Sequence, residues 1–365
     1  MKAIDLFCGC GGLSAGLRDA GFSIVAGIDI EPTYIQTFTK NFPESESICA
    51  DVTQLNPKDL LAKLGLEKGE LDLLAGGPPC QGFSKNVPRS QRQLDSENNK
   101  LVKTFLNYCK DIYPKWVLME NVAEMRNSFE NHYTNEIVET LTELGYKVIH
   151  GVHNAADYGV PQRRKRAFFI ARRDGVEPKE PTVTHCKRTE KNKVSELKPH
   201  ISVWDAIGDL RPLEHGEGQE KDIYNKPAQN DYQKYVRNGS KHVYNHIAKK
   251  LKPLQLERLK SLSPGQGIKE LPENIRPKGG YSGAYGRLTE EMIMPTITRW
   301  VFHPGSGRWG HPRDIRLITI REAARLHGYK DNFIFFGSYT QQAGQLGNSV
   351  PPILAKKMGE SFLKF

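Results

Sequence analysis

The sequence predicts an α/β protein: a doubly wound, mostly parallel sheet followed by a second, smaller and irregular domain. Over residues 1–175, short apolar strand patterns alternate with helical ones, which is typical of a parallel sheet covered on both faces. From about Gly175 to Gly310 the sequence is polar, contains many Pro and Gly, and has few periodic segments. We therefore expect a first domain at 1–175, a second at 176–315, and a return to the first domain at 316–365.

Each element has a local signal. Strand patterns are KAIDLF (2–7), SIVAGIDI (23–30), LDLLAGG (71–77), WVLMENV (116–122) and RAFFIARR (166–173). Helical patterns in the first domain are GGLSAGLRDAG (11–21), KLVKTFLNYCKDI (100–112) and NEIVETLTELG (135–145). Further along, SVWDAIGDL (202–210) and HIAKKLKPLQLERLKSL (246–262) predict short helices. Thr319 and Glu322 predict a capping box that opens another helix, and QLGNSVPPILAKKMGESFL (345–363) predicts a loop and a terminal helix.

Charge favours a polyanionic partner. The 365 residues have a formal net charge of +10, and residues 161–200 alone carry 12 Lys and Arg against 5 Asp and Glu. A solvated basic surface explains the same numbers equally well. No run of about 18 apolar residues predicts a membrane span. The N-terminus enters a strand pattern without a signal peptide, so we expect a cytoplasmic protein with no membrane contact.

The six cysteines predict neither a metal site nor paired disulfides. They lack Cys-x-x-Cys and zinc-ligand spacing, and a small buried thiol is the ordinary interpretation of each. Cys80 differs because it follows Pro78 and Pro79 in the glycine-containing loop GGPPCQGFS (76–84). Two prolines fix the backbone on one side of the sulfur, and glycines permit close approach of a flat ligand.

A glycine loop between the first strand and helix predicts a cofactor site. In DLFCGCGG, Gly9, Gly11 and Gly12 let a ligand approach the backbone, and Asp29 ends the next strand, where a carboxylate can bind ribose hydroxyls. Asp51 is a candidate for the adenine amino group. A tight strand-to-helix turn is the structural alternative. Because the loop lacks the Gly-x-Gly-x-x-Gly spacing, S-adenosylmethionine fits better than a nicotinamide cofactor, which these residues alone leave open.

Cys80 and Glu120 both follow strand carboxyl ends, which line the ligand crevice of an open α/β sheet. Together with a methyl donor they suit methylation of cytosine carbon 5. A thiolate adds at carbon 6, and an acid near ring nitrogen 3 stabilises the developing charge if burial raises its pKa.

The segment PQRRKRAFFI (161–170) adds a basic strand. Gln162, Arg164 and Arg166 share one face by alternation, whereas Arg163 and Lys165 share the other. Guanidinium groups on one face suit phosphate and base-oxygen contacts, although a charged edge strand is the common alternative.

These motifs resemble the DNA (cytosine-5)-methyltransferases of bacterial restriction-modification systems. DLFCGCGG is similar to the family's cofactor motif, GGPPCQGFS to its nucleophile motif, ENV to its glutamate motif and QRRKR to its arginine motif. RLITIREAARLHGY and QLGNSVPP resemble its closing motifs, so the resemblance covers about 1–175 and 285–365. It implies an S-adenosylmethionine-dependent methyltransferase fold.

The resemblance also implies roles for individual residues. Cys80 would be the nucleophile, Glu120 the ring-nitrogen partner, Arg166 the ligand of the cytosine carbonyl oxygen and Arg164 an organiser of the site. The implied cofactor residues are Phe7, Gly9, Gly11, Gly12, Asp29, Ile30, Asp51, Pro79, Leu101, Asn348 and Ser349. The implied DNA contacts are Gln81, Ser84, Lys85, Arg89, Arg92, Gln162 and Arg163.

The chain departs from the family pattern at three positions. Asp29 stands where the family usually has Glu, and Ile30 replaces an often aromatic residue, which weakens adenine stacking. Glu97 replaces an arginine near the end of the loop 85–99, which is the expected lid over DNA. That change removes one expected phosphate contact, for which Lys85, Arg89, Arg92 or Lys100 would have to compensate.

The resemblance assigns residues 1–175 to catalysis and cofactor binding and residues 176–315 to target recognition. It also implies that the partner is double-stranded DNA and that the target base is flipped out of the duplex. A cognate restriction endonuclease and a monomeric state are further expectations. One alternative function is the same cytosine methylation with tRNA as the substrate. Two others are a nicotinamide-dependent oxidoreductase and a catalytically silent DNA-binding relative; the adjacent glycines and ENV argue against the first of these, and intact Cys80 and Glu120 against the second.

Overall fold

The chain forms two compact units. The computed structural model describes residues 1–79, 97–125, 131–187 and 196–363, with side chains from Lys100 onward in the second range. Unit 1 comprises Met1–Asn154, Lys165–Val183 and Pro352–Phe365, and unit 2 comprises Ala155–Arg164 and Thr184–Pro351. The functional division at 1–175, 176–315 and 316–365 stays a prediction.

Unit 1 is built on a sheet which, in the described residues, has seven strands in the order β3-β2-β1-β4-β5-β7-β6. The pairs from β3 to β5 are parallel, and β7 pairs antiparallel with both β5 and β6. The predicted mostly parallel sheet is therefore confirmed. Its strands are β1 Lys2–Leu6, β2 Ser23–Asp29, β3 Glu46–Cys49, β4 Leu73–Gly76, β5 Trp116–Val122, β6 Lys147–Asn154 and β7 Lys165–Arg172.

Helices cover this sheet because their apolar positions recur at helical spacing. They are α1 Gly12–Asp19, α2 Pro32–Asn41, α3 Pro57–Lys63, α4 Glu97–Ile112, α5 His132–Glu143 and the terminal α11 Pro352–Phe362. A buried cluster that includes Leu6, Phe105 and Phe169 forms the core. The terminal helix α11 packs on α1 at Gly16, where an added Cβ would lie 2.2 Å from the Pro352 carbonyl oxygen.

Unit 2 contains shorter elements. They are β8 His185–Cys186, β9 Lys198–Pro199, α6 Val203–Ile207, β10 Gly218–Ile223, α7 Asp231–Arg237, β11 His242–Ile247, α8 Pro253–Lys260, α9 Ile320–His327 and α10 Tyr339–Asn348. The predicted capping box is confirmed: the Thr319 hydroxyl accepts from the Glu322 N–H at 3.1 Å, and Glu322 accepts from the Thr319 N–H at 2.8 Å.

Two local predictions were wrong. The segment 246–262 is not one helix, because its first residues end β11 and helix α8 begins only at Pro253, which favours the first turn. Residues 345–348, predicted as a loop, form the last turn of α10 before the extended Ser349. No helix in the described part of the chain combines the length and apolarity needed to cross a bilayer.

Candidate active site

The glycine loop joins β1 to α1 in unit 1. Phe7, Gly9 and Gly11 have positive φ of 60°, 55° and 95°, so the chain reverses tightly before α1. A Cβ at Gly11 would lie 2.4 Å from the Phe42 ring, whereas a Cβ at Gly9 would meet no heavy atom within 4 Å. Gly11 is therefore required by packing. Gly9 leaves its side of the loop open, as close approach of a ligand requires.

Asp29 holds this loop to the end of β2. Its Oδ2 accepts from the Gly9 N–H at 2.9 Å and its Oδ1 accepts from the Glu31 N–H at 3.0 Å. Burial raises the pKa of Asp29, and these backbone donors act against that rise. Each carboxylate oxygen retains a second lone pair, so the acceptor needed for a ribose hydroxyl fits the residues present.

Ile30 and Asp51 lie at the same edge of the sheet, because β2 and β3 run parallel with Asp29 opposite Cys49. The Ile30 side chain is 66% exposed, so it is accessible to a ligand. Asp51 Oδ1 accepts from the Thr53 N–H and hydroxyl, both at 2.8 Å, which caps a short 3₁₀ turn. Asp51 therefore has a structural role beside its predicted contact with adenine.

Asp5 is a buried carboxyl that the sequence analysis did not identify. Its Oδ2 accepts from the Ser14 hydroxyl at 2.5 Å, and its Oδ1 has no hydrogen-bond partner among the described residues. Burial raises its pKa to about 7. The sequence signal was an acidic residue inside the otherwise apolar strand KAIDLF.

Glu120 and Arg166 form an ion pair at the end of β5. The register places Glu120 opposite Phe168 and Val122 opposite Arg166, so the two side chains are diagonal neighbours on one face. Arg166 Nε lies 2.8 Å from Glu120 Oε1, and both side chains are largely buried. The pair places a carboxyl group beside a directed cation at the end of β5.

The start of the nucleophile loop lies against this pair. A Cβ at Gly77 would lie 3.0 Å from Glu120 Oε2, so only glycine fits there without displacing the carboxylate. Asn121 Nδ2 donates to the Pro78 carbonyl oxygen at 3.1 Å. The backbone that leads to Cys80 is thereby fixed beside Glu120 up to the exposed Pro79. Outside the described residues lie Cys80, Gln81, Ser84, Lys85, Arg89 and Arg92.

The basic segment 162–166 alternates in burial as predicted. Gln162 and Arg164 are buried and Arg166 is partly buried, whereas Arg163 and Lys165 are exposed. The Gln162 side chain is fully buried, and its predicted contact with DNA stays a prediction. Gln162 Oε1 accepts from the Ile297 N–H at 2.9 Å, so its amide nitrogen faces the other way, 2.8 Å from His327 Nδ1.

Asn348 and Ser349 belong to unit 2, where Arg164 holds their backbone. Arg164 is 1% exposed and donates to the carbonyl oxygens of Ile297, Gly347 and Ser349 at 2.9, 2.8 and 3.0 Å. His327 Nδ1 accepts from the Gln162 amide, so its Nε2 proton points to the Ser349 carbonyl oxygen at 3.1 Å. Arg164 thus links three backbone carbonyl groups, and its role in organising the active site stays a prediction.

The remaining predicted residues are placed as follows. Leu101 is partly buried near the start of α4, and Gly12 is buried as the first residue of α1. Arg163 is exposed, while its backbone N–H donates to the Met294 carbonyl oxygen at 2.8 Å. Its DNA contact and the assigned roles of the other site residues stay predictions.

Comparison with known proteins gives one family. Residues 1–364 match the C-5 cytosine-specific DNA methylase family. Among similar proteins, the Type II methyltransferase M1.HphI of Haemophilus parahaemolyticus is 35% identical over 99% of this chain and 86% of its own. The Type II methyltransferase M.DdeI of Desulfomicrobium norvegicum is 34% identical, over 99% and 88%.

Solved structures agree on the fold. A prophage-encoded candidate DNA modification methyltransferase from E. coli superposes with a TM-score of 0.78 at 25% identity, over 100% of this chain and 98% of that one. The Dnmt2 methyltransferase of S. pombe gives a TM-score of 0.61 at 18% identity, over 100% and 99%.

Proposed function

The chain belongs to the C-5 cytosine-specific DNA methylase family, and we propose that this DNA (cytosine-5)-methyltransferase modifies a flipped-out cytosine within a specific duplex sequence. S-adenosylmethionine is the proposed donor, and it supplies an electrophilic methyl group to carbon 5. The Type II names of the two relatives support host DNA modification beside a cognate restriction endonuclease.

The ion pair between Glu120 and Arg166 is the observation that carries the proposal. A buried carboxyl beside a directed guanidinium offers a cytosine ring a partner for nitrogen 3 and another for the carbonyl oxygen. Gly77, three residues before Cys80, lies against the same carboxylate. This supports a nucleophile that acts within reach of the pair.

Cys80 is proposed to react as a thiolate. Its sulfur would form a bond to carbon 6, and the electron pair of the 5,6 double bond would pass to carbon 5. Carbon 5 would then take the methyl group as the bond from that methyl carbon to the sulfonium sulfur breaks, which leaves a neutral thioether. A base then removes the carbon-5 proton, the double bond returns, and the bond from carbon 6 to sulfur breaks. Glu120 stabilises the charge that develops on the ring during addition.

The glycine loop is the proposed seat of the cofactor in unit 1. Gly9 leaves room for close approach, Asp29 offers acceptor lone pairs to the ribose, and exposed Ile30 offers an apolar contact to the adenine. These three features fit an adenosine group and require no phosphate-binding residues. Asn348 and Ser349, which belong to unit 2, are proposed as further cofactor residues on the resemblance of QLGNSVPP to a closing motif of the family.

Bisulfite sequencing tests the reaction and its substrate together. The chain is expressed in a host free of cytosine methylation, and plasmid cytosines are converted and sequenced. We expect protected cytosines in one short recurring context. A soluble, folded protein that protects none would contradict DNA as the substrate, and methyl transfer to tRNA would be assayed next.

Cys80→Ser tests the nucleophile. We expect loss of methyl transfer with DNA binding retained, because a serine hydroxyl is a far weaker nucleophile at neutral pH. Cys49→Ser is the matched control, since Cys49 is an exposed thiol at the end of β3. An active Cys80→Ser protein would refute the assignment.

A further inference from the structure

Two exposed aromatic side chains stand out in unit 2. Trp300 is 47% exposed and Tyr281 is 56% exposed, and neither ring is needed for the buried core. They belong to two loops, which we call the Tyr281 loop (276–286) and the Trp300 loop (299–309). Single exposed apolar side chains are common on protein surfaces, so a contact site must be supported by the surroundings of these two rings.

Hydrogen bonds fix the two loops to each other. The Tyr281 hydroxyl donates to the Ser306 carbonyl oxygen at 2.6 Å, and the Tyr285 N–H donates to the Pro304 carbonyl oxygen at 2.7 Å. The Ser306 hydroxyl donates to the Trp300 carbonyl oxygen at 2.6 Å and accepts from Trp309 Nε1 at 2.9 Å. The Trp300 side chain is therefore exposed while its backbone is held by hydrogen bonds. Because this loop is already ordered, binding a partner would cost little conformational entropy.

The Trp300 loop starts at the turn that carries Asn348 and Ser349. A Cβ at Gly347 would lie 2.1 Å from the Arg299 nitrogen, so the two backbones are in contact. Arg164 donates to carbonyl oxygens on both segments, at Ile297 and at Gly347. The loop is thereby positioned relative to residues that the proposed function assigns to the cofactor.

The loops are basic as well as aromatic. Together they contain four Lys and Arg and no Asp or Glu, and Arg276, Lys278 and Arg299 are exposed. The Arg299 guanidinium carbon lies 5.0 Å from the Trp300 ring centroid. A partner for this surface must offer negative charge together with apolar groups. Duplex DNA offers both, as phosphates and as base edges in its grooves, which include the thymine methyl group.

We propose that the Trp300 ring contacts bases of the target duplex and contributes to its discrimination from other sequences, while Arg299 contacts a flanking phosphate. This inference rests on the proposed function for its substrate, duplex DNA. The Tyr281 loop supports Trp300 through the Tyr281 hydroxyl. Trp300 is thus a specificity residue of the methyl-transfer reaction.

The first test measures tryptophan fluorescence of the full chain during titration with a duplex of about 30 base pairs that carries the methylated context. We expect wild-type emission to be quenched as bases contact the exposed indole, and Trp300→Phe to lose most of that quenching. The other three tryptophans serve as the internal background; Trp116 and Trp309 are buried, and Trp204 is partly buried. Quenching of equal size in both proteins would overturn the proposal.

The second test compares Kd for a duplex that carries the methylated context with Kd for a scrambled duplex at one salt concentration. Trp300→Ala should raise Kd for the first about tenfold, the loss of one base contact, and reduce the ratio between the two duplexes. Arg299→Gln should weaken both duplexes alike. Trp300→Phe retains a flat ring and should recover most of the affinity.

The matched control is Ile223→Ala, which removes another exposed apolar side chain of unit 2, 64% exposed in β10, and should leave both Kd values unchanged. Thermal unfolding checks that each variant is folded. Normal methylation with unchanged discrimination in Trp300→Ala would overturn the inference and retain the proposed function. Quenching at Trp300 without any methyl transfer would retain the inference and overturn the proposed function. A wild-type chain that binds no DNA would overturn both the inference and the proposed function.

Discussion

Replacing Asp5 by Asn should stabilise the protein relative to wild type as the pH rises. In the folded protein burial raises the pKa of Asp5 to about 7, from an ordinary value of 3.8. At pH values between these two pKa values, Asp5 is ionised in the unfolded chain and protonated in the folded protein. Rising pH therefore lowers the free energy of unfolding, and the full cost of ionisation is present above about pH 7.

The magnitude follows from the difference between the two pKa values. About three units correspond to about 4 kcal/mol, at roughly 1.4 kcal/mol per pH unit. Asn carries no charge at any of these pH values and retains an acceptor for the Ser14 hydroxyl. The amide group of Asn would lie where Asp5 Oδ1 now has no hydrogen-bond partner, so its N–H groups would be buried without acceptors. This lowers the free energy of unfolding by an amount that does not change with pH. The ionisation of Asp5 is therefore measured by how the difference in free energy of unfolding between the two proteins changes with pH, and not by its size at any one pH.

Urea unfolding of both proteins at pH 5, 6, 7 and 8 measures this change with pH. The free energy of unfolding of Asp5→Asn minus that of wild type should increase with pH up to about 7 and then level off. Asp59→Asn is the control, because Asp59 is exposed on α3. A difference for Asp5→Asn that is the same at all four values would refute a buried carboxyl with a raised pKa.

Three further predictions follow from single contacts. Arg164→Lys leaves carbonyl acceptors without a donor, so it should lower the free energy of unfolding by about 3 kcal/mol and raise KM for S-adenosylmethionine. Urea unfolding and initial-rate assays measure these two effects, and unchanged values would contradict the role of Arg164 in holding the three carbonyl groups. Gly77→Ala places a Cβ 3.0 Å from Glu120 Oε2 and should lower kcat about tenfold while the melting temperature shifts little, whereas unaffected turnover would argue against this approach. Thr319→Ala removes the cap of α9 and should cost about 1 kcal/mol in urea unfolding, an effect that Thr319→Ser should largely restore.

Local patterns were sufficient for most of unit 1. Five strands and three helices followed from apolar periodicity over a few residues, and the capping box of α9 followed from two residues three apart. Strand β6 was missed because its side chains are mostly half-buried and show no alternation. Helix α2 was missed because few of its residues are buried, Ile35, Thr37 and Phe38.

Short sequence motifs alone determined the tight glycine turn before α1, the position of Glu120 at the end of β5 and the capping box of α9, because each depends on neighbours within one strand or turn. Only the tertiary structure decided that Gln162 is buried against His327, that Arg164 joins Ile297 to the 347–349 turn, and that Arg166 pairs with Glu120. These contacts join residues 46 to 185 positions apart. Polarity in the sequence indicates that such a side chain needs partners, and long-range packing decides whether they are DNA, another side chain or a backbone carbonyl.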